Sequence, residues 1–117
     1  MKVVVCRDDQ LAPGTMQPAP VSGRPVVVVR SASGELYAIA DLCPHQGARL
    51  SRGHLGGTPA ARSDGYCIER DGEIVRCPWH NYSFDATTGL SLHQPERYRV
   101  KTYPVWIEDG DIVVDAG

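Results

Sequence analysis

Two short clusters of metal-binding residue types constrain this chain more than any other feature. The first is Cys43-Pro44-His45, and the second, Cys77-Pro78-Trp79-His80, follows after residues 46–76. Each cluster offers one thiolate and one imidazole. Two sulfur and two nitrogen donors suit zinc or an iron–sulfur cluster. The sequence therefore predicts a metal centre that joins two separate segments of the chain.

Length and charge limit the setting of this centre. A chain of 117 residues has the usual size of one domain, so we expect a single domain over residues 1–117. The net charge is only -2, and basic residues are scattered among acidic ones, which argues against nucleic-acid binding. The apolar run at residues 36–40 is far shorter than the roughly 18 residues of a membrane span, so we expect no membrane partner. No secretory signal is recognisable near the start, and we expect a cytoplasmic location.

The apolar residues recur with a period of two, and turn signals are frequent, which predicts an all-β fold. The expected strands are 2–6, 15–21, 25–30, 35–40, 66–70, 73–76, 82–85, 99–107 and 111–115. Three pairs, Ser33-Gly34, Asp71-Gly72 and Asp109-Gly110, are expected to close hairpins. The hairpin at Asp71-Gly72 would deliver Cys77 at the end of an ordered strand. Residues 54–65 are rich in small and turn-forming types and are expected to form an irregular insertion.

Two cysteines and two histidines fall outside the metal-binding clusters. Cys6 and Cys67 have apolar neighbours, which favours small, buried side chains, with a bridge between them as the alternative. His54 and His93 have no ligand spacing and are expected to be exposed to solvent.

The two clusters and their neighbours resemble the Rieske iron–sulfur proteins. The similarity is to small Rieske ferredoxins and to the Rieske domains of aromatic-ring oxygenases, and it extends over about residues 3–114. The matching segments are Tyr37-Ala38-Ile39, Cys43-Pro44-His45-Gln46-Gly47-Ala48, Cys77-Pro78-Trp79-His80, Phe84-Asp85 and Thr88-Gly89. The resemblance implies one 2Fe-2S cluster, with Cys43 and Cys77 on one iron and His45 and His80 on the other. It also implies three small antiparallel sheets with both cluster-binding loops at one tip.

Five further residues are expected to form the environment of the cluster. Pro44 and Pro78 bias the preceding cysteines towards extended backbone, and Gly47 lets the backbone approach the cluster. Trp79 is placed to cover one side of the cluster, with an ordinary core tryptophan as the alternative. Asn81 stands where glycine is commonest in the family, and asparagine tolerates the left-handed backbone of such a turn.

The family resemblance implies a function in electron transfer rather than catalysis. We expect a one-electron carrier that receives electrons from a reductase and passes them to a terminal oxygenase, with both partners docking at the cluster tip. The alternative is an obligate small subunit of a larger reductase or oxygenase, similar to the small subunit of nitrite reductase. A structural zinc site is the rival for the metal, but zinc sites more often pair cysteines with cysteines and histidines with histidines.

The chain departs from the respiratory branch of the family. That branch usually has an additional cysteine in each loop, where this chain has Ala48 and Trp79, and it carries a serine and a tyrosine where this chain has Tyr82 and Phe84. With fewer hydroxyl donors to stabilise the reduced cluster, we expect a lower reduction potential than in respiratory Rieske proteins.

Overall fold

The computed structural model describes residues 2–44, 47–63, 65–78 and 82–116. Within these residues, ten strands follow one another: β1 (Lys2–Arg7), β2 (Thr15–Pro18), β3 (Val26–Arg30), β4 (Leu36–Ala40), β5 (His54–Arg62), β6 (Gly65–Arg76), β7 (Ser83–Asp85), β8 (Thr102–Tyr103), β9 (Val105–Glu108) and β10 (Asp111–Asp115). The helices among the described residues are two short 3-10 helices, Asp8–Gln10 and Leu50–Arg52. No helix in this part of the chain has the length and apolarity to span a membrane.

The strands form three antiparallel sheets, as expected. The first sheet has the order β1-β10-β9, the second β2-β3-β4-β8 and the third β5-β6-β7. The all-β prediction is therefore confirmed. The first and second sheets form the base of the molecule, and the third sheet, with the segments that precede and follow it, carries the two cysteine loops.

Strand β3 lies between two hydrophobic cores, because its successive side chains point to opposite faces. Val27 and Val29 pack in one core with Cys43, Cys77 and Phe84. On the other face, Val26 and Val28 pack in a second core. The four consecutive valines are fully or almost fully buried, which is the pattern of a strand covered on both sides. This strand ties the cysteine loops to the base of the fold.

Two of the three expected hairpin turns are confirmed. Ser33 and Gly34 lie between β3 and β4, which pair from Val26↔Ala40 to Arg30↔Leu36. Asp109 and Gly110 lie between β9 and β10 with φ of 52° and 80°, as a tight hairpin with a primed turn requires. The expected strand 99–107 is interrupted at Pro104, so that β8 and β9 belong to different sheets. The expected strand 15–21 is shorter than predicted and ends at Pro18.

The prediction of an irregular insertion at residues 54–65 is wrong. Residues His54–Arg62 form β5, which pairs with β6 from His54↔Arg76 to Arg62↔Gly65. The composition of glycine, alanine and proline hid this strand, because it lacks the alternation of apolar and polar side chains that identifies a half-buried strand. Backbone hydrogen bonds to β6, rather than side-chain patterning, stabilise this strand. Pro59 is tolerated because β5 is an edge strand of its sheet, where one row of backbone donors needs no partner.

The prediction of a hairpin at Asp71-Gly72 is also wrong. Residues 70–73 protrude from the continuous strand β6, because Gly56 pairs with Ile74 and Thr58 pairs with Glu69. The protrusion packs on the turn between β3 and β4, where the Ala32 amide donates a 2.9 Å hydrogen bond to the Asp71 carbonyl. Gly72 has φ of 80°, and a Cβ there would lie 2.6 Å from the Ala32 nitrogen. Gly72 thus allows a close contact between the second and third sheets, and it does not form a hairpin turn.

An ion-pair network fixes this protrusion to the end of β7. The Arg70 guanidinium donates to Glu73 Oε1 at 2.8 Å and to Asp85 Oδ2 at 2.7 Å. The backbone amide and hydroxyl of Thr87 donate to Asp85 Oδ1 at 2.9 and 2.6 Å. Burial acts to raise the pKa of Asp85, but the hydrogen bonds from Thr87 and Arg70 outweigh it, so that the pKa lies below its usual value.

We predict that Asp85→Asn will weaken the acid dependence of stability. A carboxyl group with a lowered folded-state pKa stabilises the protein above its unfolded pKa of about 4, and this stabilisation is lost as the pH falls through the lower folded value. The wild type should therefore lose more unfolding free energy than the variant below about pH 4. Urea denaturation followed by circular dichroism at several pH values measures the difference. Asp9→Asn, at an exposed carboxylate, is the control, and an equal effect of both substitutions would contradict the assignment.

Candidate metal centre

Two strands deliver Cys43 and Cys77 into the same hydrophobic core. Strand β4 ends at Ala40 and β6 at Arg76, so that each cysteine follows shortly after a strand. The two residues are 1% and 0% exposed and belong to one cluster of buried residues. The structure thus brings together two thiols that are far apart in the sequence. His45 and His80, together with Trp79 and Asn81, lie outside the described residues.

The loop after β4 closes on itself through its backbone. The Gly47 amide donates to the Cys43 carbonyl at 2.7 Å, and the Cys43 amide donates to the Ala48 carbonyl at 2.8 Å. Gly47 has φ of 72°, a conformation that glycine adopts at little cost. Pro44 lies in the turn between them and is exposed. These hydrogen bonds hold the first cysteine in a compact loop.

A buried carboxylate, which sequence reasoning missed, anchors the same loop. Asp41 is 2% exposed, and its two oxygens accept hydrogen bonds from the backbone amide and the hydroxyl of Ser51, each at 2.7 Å. These bonds join the two ends of the segment that contains Cys43 and Ala48. The available signal was an aspartate directly after a predicted strand and two residues before a candidate ligand.

The loop after β6 is also closed by a hydrogen bond of its cysteine amide. The Cys77 amide donates to the Tyr82 carbonyl at 2.7 Å, and Pro78 is exposed in the turn that follows. The Tyr82 ring contacts the Tyr98 ring edge to face, with 5.5 Å between centroids and 70° between planes. The sequence did not predict the contribution of Tyr98, because the segment that holds it has no regular periodicity.

The two loops also pack against each other. A Cβ at Gly53 would overlap the carbonyl oxygen of Arg76 and lie 3.1 Å from the nitrogen of Pro78. The absence of a side chain at position 53 therefore lets the end of the first loop contact the start of the second. This contact places the two cysteine loops next to each other, and we call the region that they form the tip.

The donor chemistry of this tip fits a metal cluster. Buried thiols are soft ligands, and in a dry environment they are readily deprotonated by a bound metal.

None of the four cysteines, all of which are described, forms a disulfide. Cys6 and Cys67 are half-buried rather than fully buried and lie in different sheets, so the alternative of a bridge between them is wrong. His54 and His93 are exposed, as expected.

We predict that Asp41→Ala will destabilise the protein by about 2 kcal/mol, because the amide and hydroxyl of Ser51 lose their buried acceptor. The unfolding free energy from anaerobic denaturation with urea, followed by circular dichroism, measures this loss. Asp9→Ala, at an exposed position with the same chemistry, should change stability by no more than about 0.5 kcal/mol. A similarly small loss in Asp41→Ala would show that the Asp41–Ser51 contact does not hold the loop.

Comparison with known proteins agrees with the chemistry of the tip. The Rieske [2Fe-2S] domain family matches residues 1–104. The 3-phenylpropionate/cinnamic acid dioxygenase ferredoxin subunit of Escherichia coli (strain K12) is 37% identical over 91 residues, which cover 78% of this chain and 73% of the relative.

Two solved structures extend the similarity to the fold. The ferredoxin of carbazole 1,9a-dioxygenase from Nocardioides aromaticivorans IC177 has a TM-score of 0.77 and 30% identity, with coverage of 100% of this chain and 99% of that chain. A structure described as an NADH-dependent nitrite reductase small subunit from Mycobacterium tuberculosis has a TM-score of 0.76 and 26% identity, with coverage of 97% and 93%. The chain belongs to the Rieske [2Fe-2S] domain family and carries a cluster of this type.

Proposed function

We propose that this chain is the ferredoxin of an oxygenase system, a one-electron carrier in which the whole of residues 1–117 acts as one cluster domain. Its cluster is held by Cys43 and Cys77 on one iron and by His45 and His80 on the other. The observation that carries the proposal is the burial of Cys43 and Cys77 in one core, on two loops that contact each other. The spacing of one histidine after each cysteine in the sequence supports the remaining two ligands.

The ligand set decides what such a centre can do. A Rieske-type cluster accepts one electron at a potential of about -150 to +300 mV, against about -400 mV for clusters held by four cysteines. Two neutral imidazoles in place of two thiolates leave the centre with less negative charge, and this makes the addition of an electron easier in a medium of low dielectric. The residues of the chain provide that medium, because Leu50, Val75 and Phe84 are fully buried around the two cysteines.

The partners belong to the same proposal. The relatives from Escherichia coli and Nocardioides are ferredoxins of dioxygenases, and we infer that this chain passes its electron to a terminal oxygenase and receives it from a reductase. It is a carrier and not the catalyst. Both partners dock at the tip formed by the two loops, in a small and transient interface, because electron transfer requires a short distance and rapid release. We place the chain in the cytoplasm, because free cysteines suit a reducing compartment. We propose no nucleic-acid or membrane partner, because the net charge is only -2.

A second candidate function is that of an obligate small subunit in a nitrite reductase. The similarity to the Mycobacterium tuberculosis structure favours it. Purification from the native source separates the two functions, because a carrier exchanges between partners whereas a subunit stays in a complex of fixed stoichiometry. We favour the carrier because the similarity in sequence, 37% to the dioxygenase ferredoxin subunit, is higher.

We predict that the dithionite-reduced protein will give the electron paramagnetic resonance spectrum of a mixed cysteine and histidine cluster, with about two irons and two sulfides per chain. His80→Ala should lose or strongly destabilise the cluster because it removes a ligand. His93→Ala, at an exposed histidine, is the matched control and should keep the spectrum. Equal spectra from both variants, or one zinc without sulfide, would refute the proposed ligand set.

We predict a reduction potential in the lower half of the range of about -150 to +300 mV. Phe84 is fully buried beside the two cysteines and has no hydroxyl group with which to stabilise the added charge. Protein-film voltammetry at neutral pH measures the potential. A value near +300 mV would mean that the missing hydroxyl does not lower it.

A further inference from the structure

The charges of the chain are distributed unevenly between the base of the fold and the tip. In the base of the fold, Lys2 pairs with Glu108, Arg7 pairs with Asp111 and Arg30 pairs with Asp8. These contacts neutralise three basic side chains of the base. The segments that form the tip have a different composition.

Four arginines lie exposed on the segments that border the cysteine loops, and we call them the loop arginines: Arg49, Arg52, Arg97 and Arg99. Within the described residues none of them is in an ion pair. The acidic residues of the same segments, 41–56 and 90–100, are Asp41, which is buried, and Glu96. Positive charge therefore predominates on these segments, although the chain as a whole has a net charge of -2.

Packing connects the loop arginines to the tip. Arg49 and Arg52 lie in and beside the segment that Asp41 and Ser51 close around Cys43. Arg97 and Arg99 flank Tyr98, whose ring contacts Tyr82 next to the second loop. The Arg97 guanidinium lies 5.3 Å from the centre of the Tyr98 ring, which holds its charge close to this contact.

Exposed aliphatic side chains lie among these charges. Leu42 precedes Cys43 directly and is 40% exposed, and Leu90 and Leu92 are 38% and 45% exposed. The Leu92 amide donates to the Ser83 carbonyl and the Asp85 amide donates to the Leu90 carbonyl, so both leucines lie beside β7. A mixture of arginine and apolar side chains is typical of protein interfaces, whereas binding to a phosphate backbone relies on charge and makes no use of exposed leucines.

We propose that the loop arginines recognise an acidic surface on the redox partner and steer it to the cluster tip. This proposal rests on the function proposed above, and it adds that the docking surface of the partner is negatively charged. The loop arginines attract an acidic partner surface locally, whereas the net charge of -2 of the whole chain would weakly repel such a partner. Because such steering acts through solvent, it weakens as salt screens it.

Two small redox probes of opposite charge test the proposal on the reduced holoprotein. Ferricyanide, an anion, takes one electron and becomes ferrocyanide, while tris(phenanthroline)cobalt(III), a cation, takes one electron and becomes the cobalt(II) complex. Stopped-flow rates are measured from low to high ionic strength. We expect the ferricyanide rate to fall with salt and the cobalt rate to rise. The opposite dependence, which the net charge alone predicts, would overturn the proposal but leave the carrier function intact.

Charge reversals locate the effect on the molecule. Arg49→Glu with Arg52→Glu should lower the ferricyanide rate about tenfold at low salt, and Arg97→Gln with Arg99→Gln, a milder change, should lower it less. Lys101→Glu is the matched control, because the Lys101 ammonium lies over the ring of Tyr103 in β8, a strand of the base. Circular dichroism and the paramagnetic resonance spectrum establish that each variant is folded and loaded. A folded variant pair with an unchanged rate, or an equal loss in Lys101→Glu, would overturn the proposal.

Mixed-sequence duplex DNA and vesicles of phosphatidylserine test other anionic partners. We expect neither to retain the holoprotein at about 0.15 M salt. Retention that Arg49→Glu with Arg52→Glu abolishes would overturn the assignment to a protein partner. Loss of electron transfer to both redox probes in a folded wild-type protein would instead refute the carrier function itself.

Discussion

The contact between the two cysteine loops is the constraint on which the rest of this structure depends. A centre held by ligands from two segments requires both segments to stay in place, and here a glycine at position 53 lets one loop reach the backbone of the other. Each loop is also closed by hydrogen bonds of its own cysteine amide, to Ala48 in the first and to Tyr82 in the second. The thiols are therefore positioned by backbone contacts, which tolerate little change in geometry.

The base of the fold stabilises the arrangement of the two cysteine loops. Strand β3 contributes Val27 and Val29 to the core that contains both cysteines, and its other face belongs to the second core. The protrusion of β6 docks on the turn after β3 and is held by Arg70 and Asp85. The sheet that leads to the second loop is thus attached to the base through this hydrogen bond and through the shared core.

Burial and charge have separate roles at the tip. The cysteines lie in an apolar core that excludes water, while the exposed segments around them carry arginines without ion pairs among the described residues. An apolar interior favours a centre of low net charge, and a charged rim acts on the rate at which partners arrive. The buried side of these loops therefore surrounds the metal centre, and their exposed side contacts the partner.

The sequence by itself determined the all-β class, the two cysteine loops and the family, because period-two patterning and ligand spacing are local properties of the chain. It did not reveal β5, since this strand consists of small residues and depends on backbone pairing with β6. It assigned Asp71-Gly72 to a hairpin, whereas the tertiary structure uses the glycine to approach Ala32. The pairing of Asp41 with Ser51 and the contact between Gly53 and the backbone of Arg76 form only when the chain folds back on itself, and no local pattern encodes such contacts.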